Sequence, residues 1–324
     1  MSFFGGGTDL KEFYEKHGGA VISTTFDKYC YVTVRHLPRF FDYKNQITYS
    51  KIERTMSVDE IEHPLVRNCM KHLDMHELIV TYDADLPART GLGTSSSFAV
   101  GLLNAFYSLK GKEKDKKTLA DEAIYVERVL CNEAGGLQDQ IAASFGGLNR
   151  IDFNSDGYSV KAIAISESRK ELLNKNLLLY FTGFSRFSAD IQQDTKKNID
   201  SNNSTLLKMY EMVDVAEDIL VDENKDLDDF GRLLNESWLL KRSTGSKIST
   251  SQIDDIYDRA MDNGALGGKL LGAGGGGFML FYVPEDRQES FRNKFNDLLY
   301  VPFAFENEGT SLIYNVPEDF ELGD

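Results

Sequence analysis

Cysteine is scarce in this chain, and the three cysteines present, Cys30, Cys69 and Cys131, lie far apart in sequence. No CxxC pair and no mixed cysteine and histidine cluster accompanies them, so the pattern indicates neither a disulfide framework nor a structural zinc site. Basic residues are also few, with 36 lysines and arginines against 51 aspartates and glutamates, a net charge of −15. Such a balance argues against a surface that binds nucleic acid or anionic membranes.

Long apolar runs are lacking as well, since no stretch of the sequence approaches the roughly 18 residues of a membrane-spanning helix. The amino end does not show the basic-then-apolar pattern of a signal peptide. We therefore expect a cytoplasmic protein without nucleic-acid or membrane partners. The 324 residues, 41% apolar and 27% charged, suffice for one large or two medium domains.

Hydrophobic periodicity predicts mixed secondary structure along the whole chain. Strands are predicted at residues 20–23, 29–34, 78–82, 148–153, 177–181, 269–271, 278–283 and 312–314. Helical spacing is found over residues 206–220, 227–238 and 285–299. These patterns predict an α+β fold of two lobes, residues 1–165 and 166–324, with the active site between them.

Glycine is concentrated in three places, of which the central one reads PARTGLGTSSS at residues 87–97, between a predicted strand and a predicted helix. Gly91 and Gly93 let backbone N–H groups approach an anion, and the serine hydroxyls stand at the positive end of the helix. The segment is neither a P-loop, because it has no Lys, nor a GxGxxG fingerprint. It predicts phosphate binding, with ordinary helix capping as the alternative.

The other two glycine runs are residues 5–7, followed by Thr8 and Asp9, and residues 274–277, between two strand-like segments. Ordering a glycine costs about 0.5–1 kcal/mol relative to Ala, so four in succession suggest that a ligand or another backbone comes close. A tight hairpin is the alternative for residues 274–277. Together the three loops predict one shared site.

Taken in order, the three segments resemble the sequence motifs of the GHMP kinases, a superfamily of small-molecule kinases. The central motif of that family reads Pro-x-x-x-Gly-Leu-Gly-Ser-Ser, and Thr94 stands here in place of its first Ser. Within the superfamily, GGGTDL, GGLQDQIAASFGG and KLLGAGGGGF are most similar to bacterial heptose kinases that phosphorylate D-glycero-D-manno-heptose 7-phosphate at C1. The resemblance covers nearly the whole chain.

The resemblance implies a two-lobed GHMP kinase fold, with an N-terminal lobe like domain 2 of ribosomal protein S5 and a ferredoxin-like C-terminal lobe. It implies an enzyme that uses ATP and Mg²⁺ to phosphorylate a small sugar or sugar phosphate, as a monomer or a homodimer. Alternatives are a kinase for fucose or galactose, a non-catalytic sugar sensor, and an ATP-consuming decarboxylase of similar fold.

The resemblance also implies which residues bind ATP and the metal. We expect the nucleotide to contact Pro87, Gly91, Leu92, Gly93, Thr94, Ser95, Ser96, Ser97, Gly274, Gly275 and Gly276. Glu127, on a helix predicted over residues 118–130 with capping-box spacing at Thr118 and Asp121, matches the acidic magnesium ligand of the family. Ser96 matches the hydroxyl that completes the metal site. Spacing alone favours a surface Glu127 that pairs with Arg128.

Catalytic roles follow from the same likeness. Asp139 matches the catalytic aspartate of the family, although the sequence alone favours an acid at a helix N-terminus, stabilised by the macrodipole, with no catalytic role. Arg186, in the loop after the strand predicted at residues 177–181, is nominated as a cation that faces the transferred phosphoryl group or a substrate phosphate.

For the sugar, Asp9 matches an acid that holds ring hydroxyls in related sugar kinases, with Gly7 and Thr8 beside it. A substrate phosphate would need fixed cations, and Lys28, Arg35 and Lys269 are available, unranked by spacing.

The family carries a short strand ahead of its first motif, whereas this chain begins only four residues before Gly5. If that strand is missing, we expect an unpaired sheet edge and a weakly anchored loop around Asp9.

Overall fold

A computed structural model of the protein describes residues 1–88, 90–183 and 201–316. Arg186, predicted to face a phosphate, lies outside the described residues. The mixture of helices and sheets confirms the α+β class. No helix among the described residues has the length and apolar character needed to cross a membrane.

Thirteen strands run through the described residues: β1 (Ser2–Phe4), β2 (Gly19–Phe26), β3 (Cys30–His36), β4 (Asn45–Thr48), β5 (Ile52–Thr55), β6 (Leu78–Ala84), β7 (Leu148–Asn154), β8 (Gly157–Ala162), β9 (Leu177–Phe181), β10 (Gly267–Leu270), β11 (Phe278–Tyr282), β12 (Leu299–Tyr300) and β13 (Phe305–Glu306). The α-helices described are α1 (Lys11–His17), α2 (Pro64–His72), α3 (Thr94–Leu109), α4 (Lys116–Ile124), α5 (Gln138–Phe145), α6 (Glu167–Asn176), α7 (Asn203–Val221), α8 (Asp228–Ser243), α9 (Ser251–Asp262) and α10 (Gln288–Lys294). A π-helical turn, Tyr125–Leu130, continues α4, and short 3₁₀ turns occupy Val58–Glu60 and Glu285–Arg287.

The strands form three sheets. The first has the order β1-β2-β7-β8, with β13 also paired to β2, and the second has the order β3-β6-β4-β5. The third sheet has the order β10-β11-β9-β12. All these pairs are antiparallel except β4 with β6. The predicted lobe boundary at residues 165 and 166 falls between β8 and α6, and it stays a prediction.

The first strand is present, because Ser2 pairs with Ser23 and Phe4 with Ile22 of β2. The rings of Phe3 and Phe4 are fully buried and meet Phe230 of α8 edge-on, at centroid distances of 5.4 and 5.1 Å. The expected loss of a paired edge is therefore wrong, and the loop that carries Asp9 is anchored in the core.

The core is built from faces that the sequence predicts well. The helical stripes of α7 and α8 are buried and pack with β1, β2, β9 and β11 into the largest apolar cluster. A second cluster lies between α2, α3 and β6, and a third surrounds β9, β10, β11 and α9. Packing of α3 against β3 and β6 is what fixes the position of the loop that precedes this helix.

Three predicted elements differ from the structure. Residues 312–314 are not a strand, and Ile313 and Tyr314 are exposed, whereas β13 supplies the last strand by pairing with β2. The helix predicted over residues 285–299 ends at Lys294, since the chain turns to pair Leu299 with Phe181. The helix predicted to begin at Thr118 begins at Lys116, because the Asp115 carboxylate accepts from the Thr118 N–H at 2.7 Å.

Candidate active site

The loop between β6 and α3 ends in a helix whose N-terminus has no side-chain cap. Gly93 occupies the N-cap in the left-handed conformation, with φ 69° and ψ 20°, which only glycine adopts without strain. Without a capping side chain, the first N–H groups of α3 remain for an anion, favoured by the helix dipole. This uncapped N-terminus is compatible with the phosphate binding that the sequence predicts there, which stays a prediction.

The third glycine run packs against this loop, backbone to backbone. A β-carbon added at Gly272 would lie 2.3 Å from the Gly91 Cα, and one at Gly277 would lie 2.2 Å from the Thr90 carbonyl oxygen. No side chain fits in either place. The prediction that another backbone comes close is confirmed, and the connection of residues 272–277 is longer than a tight hairpin.

Within that run, the residues nearest the cavity are Gly272 and Ala273. Gly274 and Gly275 instead face Ile248, whose carbonyl oxygen accepts from the Gly275 N–H at 2.9 Å. Gly276 follows them in the same turn and is buried.

A cavity of about 210 Å³ opens beside both loops. The predicted site residues that line it are Gly7, Asp9, Lys28, Gly91, Leu92, Gly93, Thr94, Ser97 and Asp139. Those outside its lining are Thr8, Pro87, Ser95, Ser96, Glu127, Gly274, Gly275 and Gly276. The cavity therefore joins the first two glycine loops to the candidate catalytic aspartate.

Asp9 is held at the cavity wall by backbone donors. Its Oδ1 accepts from the Gly7 N–H at 3.0 Å and its Oδ2 from the Gln138 N–H at 3.2 Å. A β-carbon added at Gly136 would lie 1.8 Å from that Oδ2, so glycine is required for the carboxylate to reach this place. The sequence predicts Asp9 but not the dependence on Gly136.

Thr8 is fully buried, and its hydroxyl bonds the backbone rather than the cavity. The hydroxyl oxygen accepts from the Ala20 N–H at 3.1 Å, and it lies 2.8 and 2.9 Å from the carbonyl oxygens of Gly5 and Ala20. This position argues against a direct contact between Thr8 and a substrate, and it gives Thr8 a part in fixing the loop.

Asp139 is the second residue of α5 and faces the cavity next to Gly93, where an added β-carbon would lie 3.4 Å from the Asp139 Cγ. The side chain is accessible from the cavity, yet protein encloses the cavity around it. This enclosure raises the pKa of the Asp139 carboxyl above its usual range, and the neighbouring charge of Asp9 raises it further.

Glu127 is 1% exposed and lies on the π-helical turn that follows α4. Its Oε1 accepts from the Ser95 hydroxyl at 2.8 Å, and its Oε2 accepts from the Ser96 hydroxyl at 2.8 Å and the Gln140 amide at 2.6 Å. We call these four residues the Glu127 cluster. The alternative of a surface Glu127 paired with Arg128 is wrong, since Arg128 donates instead to the Gly136 carbonyl.

The Glu127 cluster suits a hard cation in its chemistry. It brings together a buried carboxylate and two hydroxyls, and the Gln140 Oε1 is buried without a hydrogen-bond partner among the described residues. Oxygen atoms of these kinds are the ligands that Mg²⁺ prefers.

Comparison with known proteins identifies the family. Residues 63–147 match the family model for the GHMP kinases N terminal domain, and residues 215–301 match the model for GHMP kinases C terminal. The chain is 30% identical over 326 residues to a D-glycero-alpha-D-manno-heptose 7-phosphate kinase of Campylobacter jejuni, with 95% of each chain covered. The chain belongs to the GHMP kinase family.

One solved structure shares the fold of this chain, and a second curated relative carries another sugar in its name. A crystal structure described as a D-glycero-D-manno-heptose 1-phosphate kinase from Bacteroides thetaiotaomicron superimposes with a TM-score of 0.78, at 23% identity and 97% coverage of both chains. An L-fucokinase/L-fucose-1-P guanylyltransferase of Bacteroides fragilis is 29% identical over 66% of this chain and 23% of its own length.

The cations predicted for a substrate phosphate occupy different surroundings in this GHMP kinase. Lys28 lines the cavity but its ammonium is paired with Asp27 at 2.8 Å. Arg35 is exposed on β3 and does not line the cavity, which contradicts its proposed place at the pocket. Lys269 is buried, and its ammonium donates to the carbonyls of Ser2 and Phe3 at 2.8 and 2.7 Å. Burial lowers the pKa of Lys269 well below its usual range.

Lys241 is the cavity residue that sequence reasoning misses. It lies in the last turn of α8, and its ammonium donates to the Gly272 carbonyl at 2.6 Å. Burial lowers the pKa of Lys241 to about 8, while the charges of Asp9 and Asp139 act in the opposite direction. Basic residues at helix C-termini are common because the dipole favours them, so the sequence carries no signal that sets Lys241 apart.

Proposed function

We propose that this GHMP kinase transfers the γ-phosphoryl group of ATP to the anomeric hydroxyl of D-glycero-D-manno-heptose 7-phosphate, giving the 1,7-bisphosphate. One observation carries the proposal: Asp9 and Asp139 share a cavity with the uncapped N-terminus of α3. A phosphate cradle beside two carboxylates matches a reaction between a nucleotide and a polyol. The 7-phosphate comes from the name of the Campylobacter jejuni relative.

The loop before α3 would bind the ATP phosphates. Backbone N–H groups of residues 91–97 supply the donors, and the close contact of Gly91 with Gly272 holds the loop in place without side chains in the way. Predicted contacts through Gly274, Gly275 and Gly276 remain part of the proposal, with Gly272 and Ala273 nearer to the cavity.

Asp139 would orient the anomeric hydroxyl and accept its proton as the sugar oxygen attacks the γ-phosphorus. The oxygen–phosphorus bond to ADP breaks in the same in-line step, and its electron pair leaves with ADP. The raised pKa makes Asp139 a stronger base than an ordinary aspartate, although it must still be ionised to act. Arg186 remains nominated as a further cation.

Ser96 and Glu127 would hold Mg²⁺, with Ser95 and Gln140 completing the cluster. Bound there, the ion would neutralise charge on the ATP phosphates. The protein holds the Glu127 carboxylate in one orientation, because three side chains donate hydrogen bonds to it. These bonds would have to rearrange, since each hydroxyl now donates to the carboxylate.

Asp9 would accept hydrogen bonds from sugar hydroxyls, because its carboxylate is fixed at the cavity wall by two backbone donors. Gly7 and Lys28 line the same cavity. A kinase for fucose is the second candidate, favoured by the likeness to the Bacteroides fragilis relative.

The test is ADP release with Mg·ATP against a panel of heptose 7-phosphate, heptose 1-phosphate, unphosphorylated heptose, mannose, fucose and galactose. We expect turnover on heptose 7-phosphate above all others, with the 1,7-bisphosphate as product. Turnover on fucose alone would replace the heptose assignment, and nucleotide binding without turnover on any sugar would favour a sensor.

The cellular setting belongs to the same proposal. A cytoplasmic location agrees with three cysteines that are all free in the structure, since reducing compartments keep thiols unpaired. A monomer or a homodimer stays a prediction.

A further inference from the structure

Four cationic side chains of the described residues line the cavity, and three of them are held by neighbouring groups. Lys28 pairs with Asp27, Arg128 donates twice to the Gly136 carbonyl, and Lys269 donates to two carbonyls of β1. Lys241 makes a single hydrogen bond to another described residue, at the Gly272 carbonyl. An ammonium has three donors, so two remain for a ligand.

Two observations locate the Lys241 ammonium in the cavity. On one side, Gly272 packs on Gly91, within the loop proposed to hold the ATP phosphates. On the other side, the carboxylates of Asp9 and Asp139 are close enough for their charges to act on Lys241. Asp139 itself lies next to Gly93 of the same loop. The ammonium therefore lines the same cavity as residues 91–94 of the loop and the carboxylates of Asp9 and Asp139.

We propose that Lys241 binds the γ-phosphoryl group of ATP and stays in contact with it during transfer to the acceptor. The proposal rests on the proposed kinase function. It adds a residue of α8, which belongs to the C-terminal half of the sequence, whereas the loop of residues 91–97 belongs to the N-terminal half. A phosphoryl group transferred from the nucleotide to a sugar hydroxyl beside Asp139 would move within this cavity, which Lys241 lines.

The charges of the cavity favour this role. The cavity already contains two carboxylates, and a triphosphate brings further negative charge toward them, at a net protein charge of −15. A cation aimed at the transferred group offsets this repulsion where charge develops in the reaction. Lysine suits a group that moves, since its ammonium is a compact point charge on a flexible stem.

The experiment compares wild type with Lys241→Met, Lys241→Arg and, as matched control, Lys247→Met, an exposed lysine six residues further on. Dissociation constants are measured for Mg·ADP and for Mg·AMPPNP, a non-hydrolysable triphosphate. Thermal unfolding of each variant shows whether it is folded.

We expect Lys241→Met to bind AMPPNP about tenfold to hundredfold more weakly while its affinity for ADP stays the same, since charged hydrogen bonds contribute on that scale. Lys241→Arg should restore much of the affinity, and Lys247→Met should match wild type. With an active sugar from the panel, kcat of Lys241→Met should fall by about 10²–10³ with little change in the sugar KM.

Three results would overturn the inference. Equal weakening of ADP and AMPPNP would reduce Lys241 to a structural tether of the glycine loop. Unchanged affinity for both nucleotides would remove it from the donor site. A loss confined to the KM of a phosphorylated sugar would place Lys241 at the acceptor phosphate instead. Because nucleotide affinities need no sugar, failure of the heptose assignment would appear only in the substrate panel.

Discussion

The Glu127 cluster and the cavity group of Asp9, Asp139 and Lys241 both adjoin the loop of residues 91–97, yet their polar atoms differ in how many hydrogen bonds they make. In the cluster, each carboxylate oxygen already accepts from a neighbouring side chain. In the cavity, the Asp139 carboxylate has no hydrogen bond to another described residue, and Lys241 is bonded to one carbonyl. In the cluster both Glu127 oxygens are hydrogen-bonded and only the Gln140 Oε1 has no partner among the described residues. The cavity instead brings two carboxylates and an ammonium to one accessible space.

The two groups of residues illustrate two surroundings in which a protein can place a carboxylate away from bulk water. A satisfied network fixes geometry, because each buried polar group keeps its partners. Charged side chains that lack hydrogen-bond partners shift one another's pKa values, and they favour a ligand that supplies the missing partners. Variants should therefore affect the two groups differently, and the effects below run from largest to smallest.

The largest effect is expected for Asp139→Asn, which removes the base from the open group. General bases contribute about 10²–10⁴-fold, so kcat should fall by that factor while the affinity for ATP stays unchanged. The measurement is steady-state ADP release beside nucleotide binding. Asp156→Asn, at the exposed turn between β7 and β8, is the control and should keep full activity. Near-normal turnover in Asp139→Asn would remove Asp139 from the role.

A second large effect is expected for Gly136→Ala, since its β-carbon would meet the Asp9 carboxylate at 1.8 Å. The displaced carboxylate would lose its bonds to Gly7 and Gln138, so the sugar KM should rise about tenfold to hundredfold. Asp9→Ala should show the same rise, and nucleotide affinity should not change in either variant. A wild-type KM for Gly136→Ala would mean that Asp9 does not touch the sugar.

The closed cluster is tested by Gln140→Leu, which removes one donor to Glu127 while keeping the side-chain volume. Groups that orient a metal ligand typically change metal affinity by about 10–100-fold, so the Mg²⁺ concentration for half-maximal activity should rise by that factor. Ser144→Ala, also buried on α5 but bonded to the Lys116 carbonyl, is the matched control. An equal Mg²⁺ requirement in all three proteins would argue against a metal at Glu127.

The smallest effects are changes in the dependence of activity on pH, of which the first concerns the loss of activity at acidic pH, the acid limb. Asp139 must be ionised to act, so its raised pKa moves the loss of activity on acidification to a higher pH than an ordinary aspartate gives. The charged groups that face it are Asp9 and Glu127, which raise its pKa, and Arg128 and the Met1 amino group, which lower it; the charges of Asp139 and Lys241 also act on each other. Asp9→Asn should therefore shift this limb toward lower pH in kcat/KM profiles, and an unshifted limb would exclude Asp139 as its source.

An alkaline limb is expected from Lys241, which must be protonated to bind a phosphate and has a pKa of about 8. Activity should therefore decline as the pH rises through about 8. The charges that face Lys241 are Asp9, Asp139 and Lys269. Lys241→Arg should lack this limb, because a guanidinium does not titrate in the range. Persistence of the limb in that variant would assign it to another group.

The sequence predicts the parts of this site that depend on local patterns. Gly91 and Gly93 before a helical run, and Asp9 after three glycines, are readable because phosphate loops and tight turns require those residues at those places. Family likeness supplies the roles proposed for Glu127 and Asp139, which spacing alone does not distinguish from a surface acid and a helix-start acid. Their closeness in space confirms neither role, and both stay predictions.

What the sequence does not predict depends on distant partners. In the sequence, Lys241 cannot be told from any other basic residue in the last turn of a helix. Only the tertiary structure brings its ammonium to the Gly272 carbonyl. Leu299 continues a helical pattern, yet pairing with Phe181 makes it a strand. The sequence predicts Arg35 as a cation at the pocket, but side chains alternate between the two faces of β3 and that of Arg35 lies on the exposed face.

Glu127 owes its position to the π-helical turn, in which the Cys131 N–H reaches back five residues to the Val126 carbonyl at 2.8 Å. Such a turn accommodates one residue more than the regular helix, and Val126 and Glu127 both face inward as a result. Deleting a single residue at Tyr125 would restore the ordinary pitch and swing the carboxylate by about 100° around the axis. We therefore expect a change of length in this segment to displace the Glu127 carboxylate more than a substitution beside it would.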